Sequence, residues 1–381
     1  MSEYQYYEFT AIDRPLTKDQ QSELRARSSR ARISSSQFIN EYHWGSLKGN
    51  PVEWMEKYFD ASLYTSNFGS RAIHVRLPLS LLDIKSVRAY EISGVLEVRT
   101  TSEHIILSFY SNEEPGYYDD EEDNIGSTLS SILPVRDELA RGDLRLLYLG
   151  WLLAVGCGEV SDETMEPPIP LGLAELSGGQ QSLADFLHID PNLIAAAARA
   201  SGPARPDKPS TDDAKAWLES LTATERDAWL LDFIMGDVRT LLAYQNEFQA
   251  SVKPTNSTTA RRSAGQLLAE TEVITLRRNE AVAKKAAADK LERETKEAAD
   301  RLIYLKSLGG QKSNLWKSVI ALTETSISSN YATAVKQITD LRDLAYLENE
   351  MESFDSNLAG LRELRSRRSG LIARLDKELL V

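Results

Sequence analysis

Cysteine occurs once in 381 residues and histidine four times. A lone Cys157 excludes an internal disulfide framework and any multi-cysteine zinc centre. His43, His74, His104 and His188 include no i, i+4 pair, so no helix offers two imidazoles to one ion. The chain has no Gly-Lys dipeptide, which removes the G-x-x-x-x-G-K-[ST] loop that cradles phosphates. A G-x-S-x-G nucleophile elbow is also missing. The longest apolar run, "LLYLGWLLAVGCG" from Leu146, is too short for a bilayer and reads as a buried helix. Cys157 at its end reads as a small buried residue. "MSEYQYYEF" has neither a basic region nor an apolar core, so no secretory leader is expected and the expected compartment is the cytoplasm.

What is present is ordinary in bulk and uneven in distribution. Hydrophobic residues make up 42% and charged residues 27%, which suits a water-soluble globular chain of two or three domains. From Lys253 onward there are 22 basic and 18 acidic residues, which leaves 22 basic and 39 acidic in residues 1–252. The front part therefore repels nucleic acid unless a local patch overrides it.

Residues 1–125 read as an α+β domain. "YQYYEFTAI" and "RAIHVRLP" have strand composition, and in the second Ile73, Val75 and Leu77 alternate with His74 and Arg76. "SGVLEVRT" and "HIILSFY" predict a hairpin turning near Ser102. "LTKDQQSELRAR" predicts a helix capped by Thr17, and "NPVEWMEKYFDASLY" another with Pro51 in its first turn. The expected arrangement is a short sheet with helices on one face. "NEEPGYYDDEEDN", Asn112 to Asn124, reads as a solvated acidic loop, because it lacks the fixed spacing of a calcium loop.

Residues 126–252 read as a helical middle region, with "SGPARPDKPS" as a linker and Thr222-x-x-Glu225 as a capping box. Residues 253–308 read as a linker, "SVKPTNSTTARRS", and a long charged helix. Leu267, Ile274, Ala281, Ala288, Thr295 and Leu302 fall at sevenfold spacing on it, but their neighbours are mostly charged. A semi-rigid arm with a modest coiled-coil seam is expected. Residues 309–381 read as a C-terminal helical bundle. Three stripes carry its core: Leu315, Trp316, Val319 and Ile320; Tyr331, Val335, Ile338, Leu341 and Ala345; Met351, Phe354, Leu358, Leu361 and Leu364.

Three motifs invite a chemical reading. "LSGGQQ", Leu176 to Gln181, spells the signature of ABC-type ATPases, but without a phosphate loop Ser177 reads as a helix N-cap. In "FINEYHWGSLKGNP", Glu41 and His43 form a candidate polar pair with Asn40 as an amide donor, while Trp44 followed by Gly45 suits a strand end and turn. Trp44 and Trp54 are candidate interaction aromatics. "RELRSRRS" places Arg362, Arg365, Arg367 and Arg368 beside an apolar stripe; these are candidate interaction residues for an acidic partner or phosphate, against a solvated face.

"YYEFTAIDRPLT", "NEYHWGSLKGNP" and "YFDASLY" resemble the N-terminal region of a family of bacterial proteins of unassigned function. "LADFLHIDPNLIAAAA" and "LTATERDAWLLDFIMGD" resemble that family's middle section. "YLKSLGGQKSNLWKSVIAL" through "LRELRSRRSGLIARLDKELL" is similar to a helical module at the end of bacterial proteins that carry a SWIM-type zinc finger. The finger's own signature, a CxC pair followed by CxH, is absent, so zinc is not expected to bind in that way. The resemblance implies a SWIM-type zinc-finger protein as neighbour or partner. Together these readings point to a non-enzymatic cytoplasmic interaction or scaffold protein with no cofactor. The alternatives are a nucleic-acid-associated factor using the basic tail and an enzyme built around His43 and Glu41.

Overall fold

A computed structural model describes residues 4–112, 125–204, 211–235, 244, 248, 262–325 and 327–378. Most of the acidic loop and most of both linkers lie outside the described residues. Contacts divide the chain into two compact units, Met1–Arg278 and Asn279–Val381.

The first unit is built on seven antiparallel strands: β1 Gln5–Thr10, β2 Arg32–Ile33, β3 Gln37–Tyr42, β4 Ala61–Ser66, β5 Ser70–Pro78, β6 Leu96–Thr100 and β7 His104–Asn112. Their order across the sheet is β2-β3-β1-β4-β5-β7-β6. Helices α1 Lys18–Arg27, α2 Pro51–Lys57 and α3 Ile84–Arg88 interrupt the strands, and α4 Ile125–Ile132, α5 Pro134–Ala140, α6 Arg145–Gly156, α7 Gly178–Phe186 and α8 Pro191–Ala198 follow them. The fold class is thus α+β, followed by a predominantly helical region. Local chemistry accounts for several boundaries. Thr17 and Gln20 close a capping box at α1, Asn50 caps α2 with Pro51 behind it, and Ser177 with Gln180 caps α7. The β6–β7 hairpin turns where expected, with Thr101 donating its N–H to the His104 carbonyl at 2.8 Å.

Two expectations are corrected. The helix at "NPVEWMEKYFDASLY" stops at Lys57, and Ala61–Ser66 forms a strand between β1 and β5. Asp60 marks the break: its carboxylate accepts from the Ile12 and Asp13 amides at 2.6 and 2.9 Å, and from Arg76. Arg76 in turn donates to the Met55 and Glu56 carbonyls, satisfying the last turn of α2. Sheet pairing here overrides local helical spacing.

Nor do helices cover only one face. Tyr7, Phe9, Phe38 and Ile106 pack with Leu24 of α1 and with Trp54 and Met55 of α2. On the other face Leu63, Ile73, Val75, Leu96, Leu107 and Phe109 pack with α4 to α8. The sheet is therefore sandwiched, and β5 is buried at every residue from Ala72 to Pro78. Helix α6 buries all ten residues from Leu146 to Val155. Gly150 permits its close approach, because a Cβ there would lie 2.7 Å from the Phe109 ring. Cys157, just past this helix, is exposed rather than buried: the last buried residue of α6 is Val155, and the chain turns outward at Gly156.

Two further helices of this unit, α9 Thr211–Ser220 and α10 Ala223–Met235, bury none of their side chains. Helix α11, Ala264–Leu308, is 45 residues long. Its start is held by Arg262, which donates to Glu166 at 2.9 and 3.0 Å, and Glu166 is fully buried beneath Tyr148.

In the second unit α11 continues through a 3-10 turn, Gly309–Gln311, into α12 Lys312–Glu324, α13 Ser328–Glu348, α14 Met351–Leu364 and α15 Ser369–Lys377. The expected stripe on α13 is buried throughout, and Val319, Phe354, Leu358 and Leu361 meet it. Leu364 instead is 61% exposed, and Leu371 and Leu375 of α15 complete the core. Asn349 ends α13 in the left-handed region at φ 56°.

Candidate interaction surface

The segment Phe38–Pro51 scatters its polar groups. Alternation in β3 sends Phe38 and Asn40 to one face, while Glu41 pairs across from Tyr6 and is exposed. His43 is exposed too, with its ring 5.4 Å from that of Tyr4. Asn40 therefore cannot join Glu41 and His43 on one side of the strand. The two tryptophans part in the same way. Trp54 is 3% exposed, with ring centroids 5.0 Å from Phe38 and 5.3 Å from Phe9. Trp44 is 80% exposed at the strand end, and Gly45 after it turns the chain at φ 85°.

Alternation along β5 puts His74 and Arg76 on the polar side of the strand, yet both lie in the core. His74 Nδ1 is 2.9 Å from Ser108 Oγ, and Ser62 is its cross-strand neighbour on the other side. Complete burial pushes its pKa down to about 4, so the neutral imidazole is the stable form. Ser, His and Ser in a row resemble a relay, but the cavity beside them measures only about 10 Å³, the size of one water at most. All three residues are at most 3% exposed, so the row is closed off from solvent. Arg76 and Asp60 are 1% and 0% exposed, with every close partner drawn from the fold itself. These groups are framework.

Three of the four C-terminal arginines are engaged within their own bundle. Arg362 pairs with Asp376 at 2.5 Å. Arg365 donates to Thr323 Oγ1 and the Ile320 carbonyl, both at 3.3 Å, and Arg368 to the Glu324 carbonyl at 3.0 Å. The last two thus satisfy carbonyls at the end of α12, where the helix dipole also favours positive charge. Arg367 alone of the four is fully on the outside. The face that read as solvated is largely a set of helix caps.

One open concavity among the described residues is not visible in the sequence. It is a groove of about 530 Å³ in the second unit. Ala298, Leu302 and Leu305 of α11 form one wall, Tyr346 and Leu347 of α13 the other, and Met351 closes one end. Ion pairs and a hydrogen bond tie the two walls together: Arg301 donates to Asp340 at 2.5 Å and Asp343 at 2.7 Å, and Tyr304 to Asp340 at 3.0 Å. The Asp343 and Asp340 carboxylates hold the Arg301 guanidinium still more firmly in its charged form. Tyr346 is 76% exposed and Leu347 43%. Apolar side chains left open beside a polar rim are the pattern of a protein-docking surface. The only advance signal was the failure of Tyr346 and Leu347 to fit the core stripe of α13.

A seven-stranded antiparallel α+β unit joined to a helical bundle with an open apolar groove defines the class of protein. Among known proteins, no family model, no curated sequence and no solved structure matches the chain. Among the described residues, no helix is long and apolar enough to cross a membrane.

Proposed function

We propose that this is a non-enzymatic protein-interaction protein of the cytoplasm, and that the groove between α11 and α13 is where a protein partner docks. The observation that carries the reading is the exposure of Tyr346 and Leu347 above an apolar floor framed by the Arg301–Asp340–Asp343 ion network. A groove of this kind suits an amphipathic helix, whose apolar side chains enter while its polar face stays wet. The resemblance of the C-terminal module makes a SWIM-type zinc-finger protein the first foreign partner to test. No observation favours the nucleic-acid alternative, because Arg362, Arg365 and Arg368 are spent on bonds within the bundle.

The test is affinity capture by the tagged full-length chain from its source cells, with and without nuclease, beside a Tyr346→Asp, Leu347→Asp variant. A specific partner that survives nuclease and is lost with the variant supports the reading. Identical recovery by both proteins overturns it, and partners that vanish with nuclease transfer it to nucleic acid.

A further inference from the structure

We propose that the occupant of this groove is a second copy of the same chain, with the exposed faces of two α11 helices packed antiparallel. The proposal rests on the groove being a protein-docking site and names what docks there. Every residue of α11 from Asn279 to Asp300 is exposed, so six turns of helix lack the tertiary packing that normally stabilises one. The groove identifies which side of that helix is adhesive. Ala298, Leu302 and Leu305 line it, and stepping back by three or four residues at a time the same face carries Glu294 and Thr295, then Leu291, Ala287 and Ala283. Leu291 is 62% exposed at the middle of this face.

Charge selects the partner and its direction. Ala281–Lys290 holds three lysines against one aspartate, while Leu291–Asp300 holds four acidic residues against two basic. Two copies running antiparallel about the Lys290–Leu291 junction bring each basic half onto the other's acidic half. A parallel pair sets like halves together and is disfavoured. Small side chains at 283, 287 and 298 let the two backbones approach, and the groove then receives the opposite end of the partner's face. Within one copy the ion pairs of this stretch are long and wet: Lys290–Glu294 at 3.9 Å and Arg293–Glu297 at 3.7 Å. They leave these charges available for contacts across the pair.

Sedimentation equilibrium of the full chain at low and high salt tests the proposal. A dimer is expected, weaker in high salt. Reversing one half, either Lys284→Glu, Lys285→Glu, Lys290→Glu or Glu292→Lys, Glu294→Lys, Glu297→Lys, gives the two halves of the helix the same sign. Each set should weaken association by about tenfold or more, since several exposed pairs act together. All six changes in one chain restore opposite halves and should restore the dimer. Circular dichroism checks that each variant keeps its helix. A monomeric wild type, a dimer indifferent to either reversal, or a helical six-fold variant that stays monomeric overturns the proposal. If self-association is absent while a foreign partner still depends on Tyr346 and Leu347, this inference falls and the docking function stands. If the groove substitutions alter neither, both fall.

Discussion

The core of the sheet and the outer faces of the bundle handle polarity differently. In the sheet unit, charge is taken inside and fully bonded: Arg76 and Asp60 sit at 1% and 0% exposure, and His74 is held neutral between two serines. In the bundle unit, Asp340 is the buried charge among the described residues, bonded to Arg301 and Tyr304, and large apolar side chains are on show, with Tyr346 at 76% and Leu364 at 61% exposure. The cause is geometric. A sheet covered on both faces has no wet side, so the charged pair in its central strands is satisfied within the fold, although the Ser62 hydroxyl is buried without a partner. A small bundle of amphipathic helices has outer faces everywhere, and its core is only one stripe wide per helix. The first arrangement makes a framework, and the second is the one on which the proposed docking rests.

The sharpest way to break this contrast is at the buried ion pair. Asp60→Ala leaves the Arg76 guanidinium buried without its counter-ion, with an expected loss of about 3–5 kcal/mol from the sheet unit. The paired change Asp60→Asn, Arg76→Met should cost less than the single one, and chemical denaturation followed at the unit's tryptophans measures both. The tryptophans of "NEYHWGSLKGNPVEW" test the same contrast within one segment. Trp54→Ala should cost about 3–5 kcal/mol through the cavity it leaves among Phe9, Phe38 and Tyr58. Trp44→Ala, at a surface position, should stay within about 0.5 kcal/mol. Comparable losses for the two would erase the distinction.

Acid provides the third test. The unfolded imidazole titrates near pH 6.5 and the folded His74 near 4, so the unfolded state binds the proton first. The contribution of the neutral ring is therefore fully present above pH 6.5 and is lost as pH falls toward 4. The loss is at most about 3 kcal/mol by linkage. His74→Gln, which keeps a hydrogen-bonding group without the titration, should flatten unfolding free energy against pH in that window. The smallest effect belongs to the bundle caps. Arg365→Ala and Arg368→Ala should each cost about 1 kcal/mol or less, because each frees helix-end carbonyls that water can reach. Thermal unfolding of the bundle reads this out, and a loss as large as that of Asp60→Ala would contradict the partition.

Much of the fold was legible because it depended on neighbours within four positions. Thr17, Asn50 with Pro51, and Ser177 with Gln180 cap their helices through backbone amides two or three residues on, and the sequence displays such spacings directly. The stripes of α13 and the burial of α6 followed from period and run length. The helix drawn through Asp60 failed for a different reason. "MEKYFDASLY" has acceptable helical spacing, and only pairing with β1 and β5 made its second half a strand. The candidate site fared less well than the fold. Trp54 and three of the arginines carried the right chemistry for contact, but long-range packing used them internally. The groove drew its walls from α11 and α13, with Ala298 and Tyr346 far apart in the chain.

By itself, then, the sequence determined the α+β class, the long exposed helix, the caps and turns, and the uneven charge along the chain. Each of these is a sum over local propensities and short spacings. Tertiary structure alone decided which polar side chains would be buried and which apolar ones left open. Solvent exposure is set by layers that arrive from distant segments: α4 to α8 closing over one sheet face, and α11 standing beside α13 to leave a groove between them.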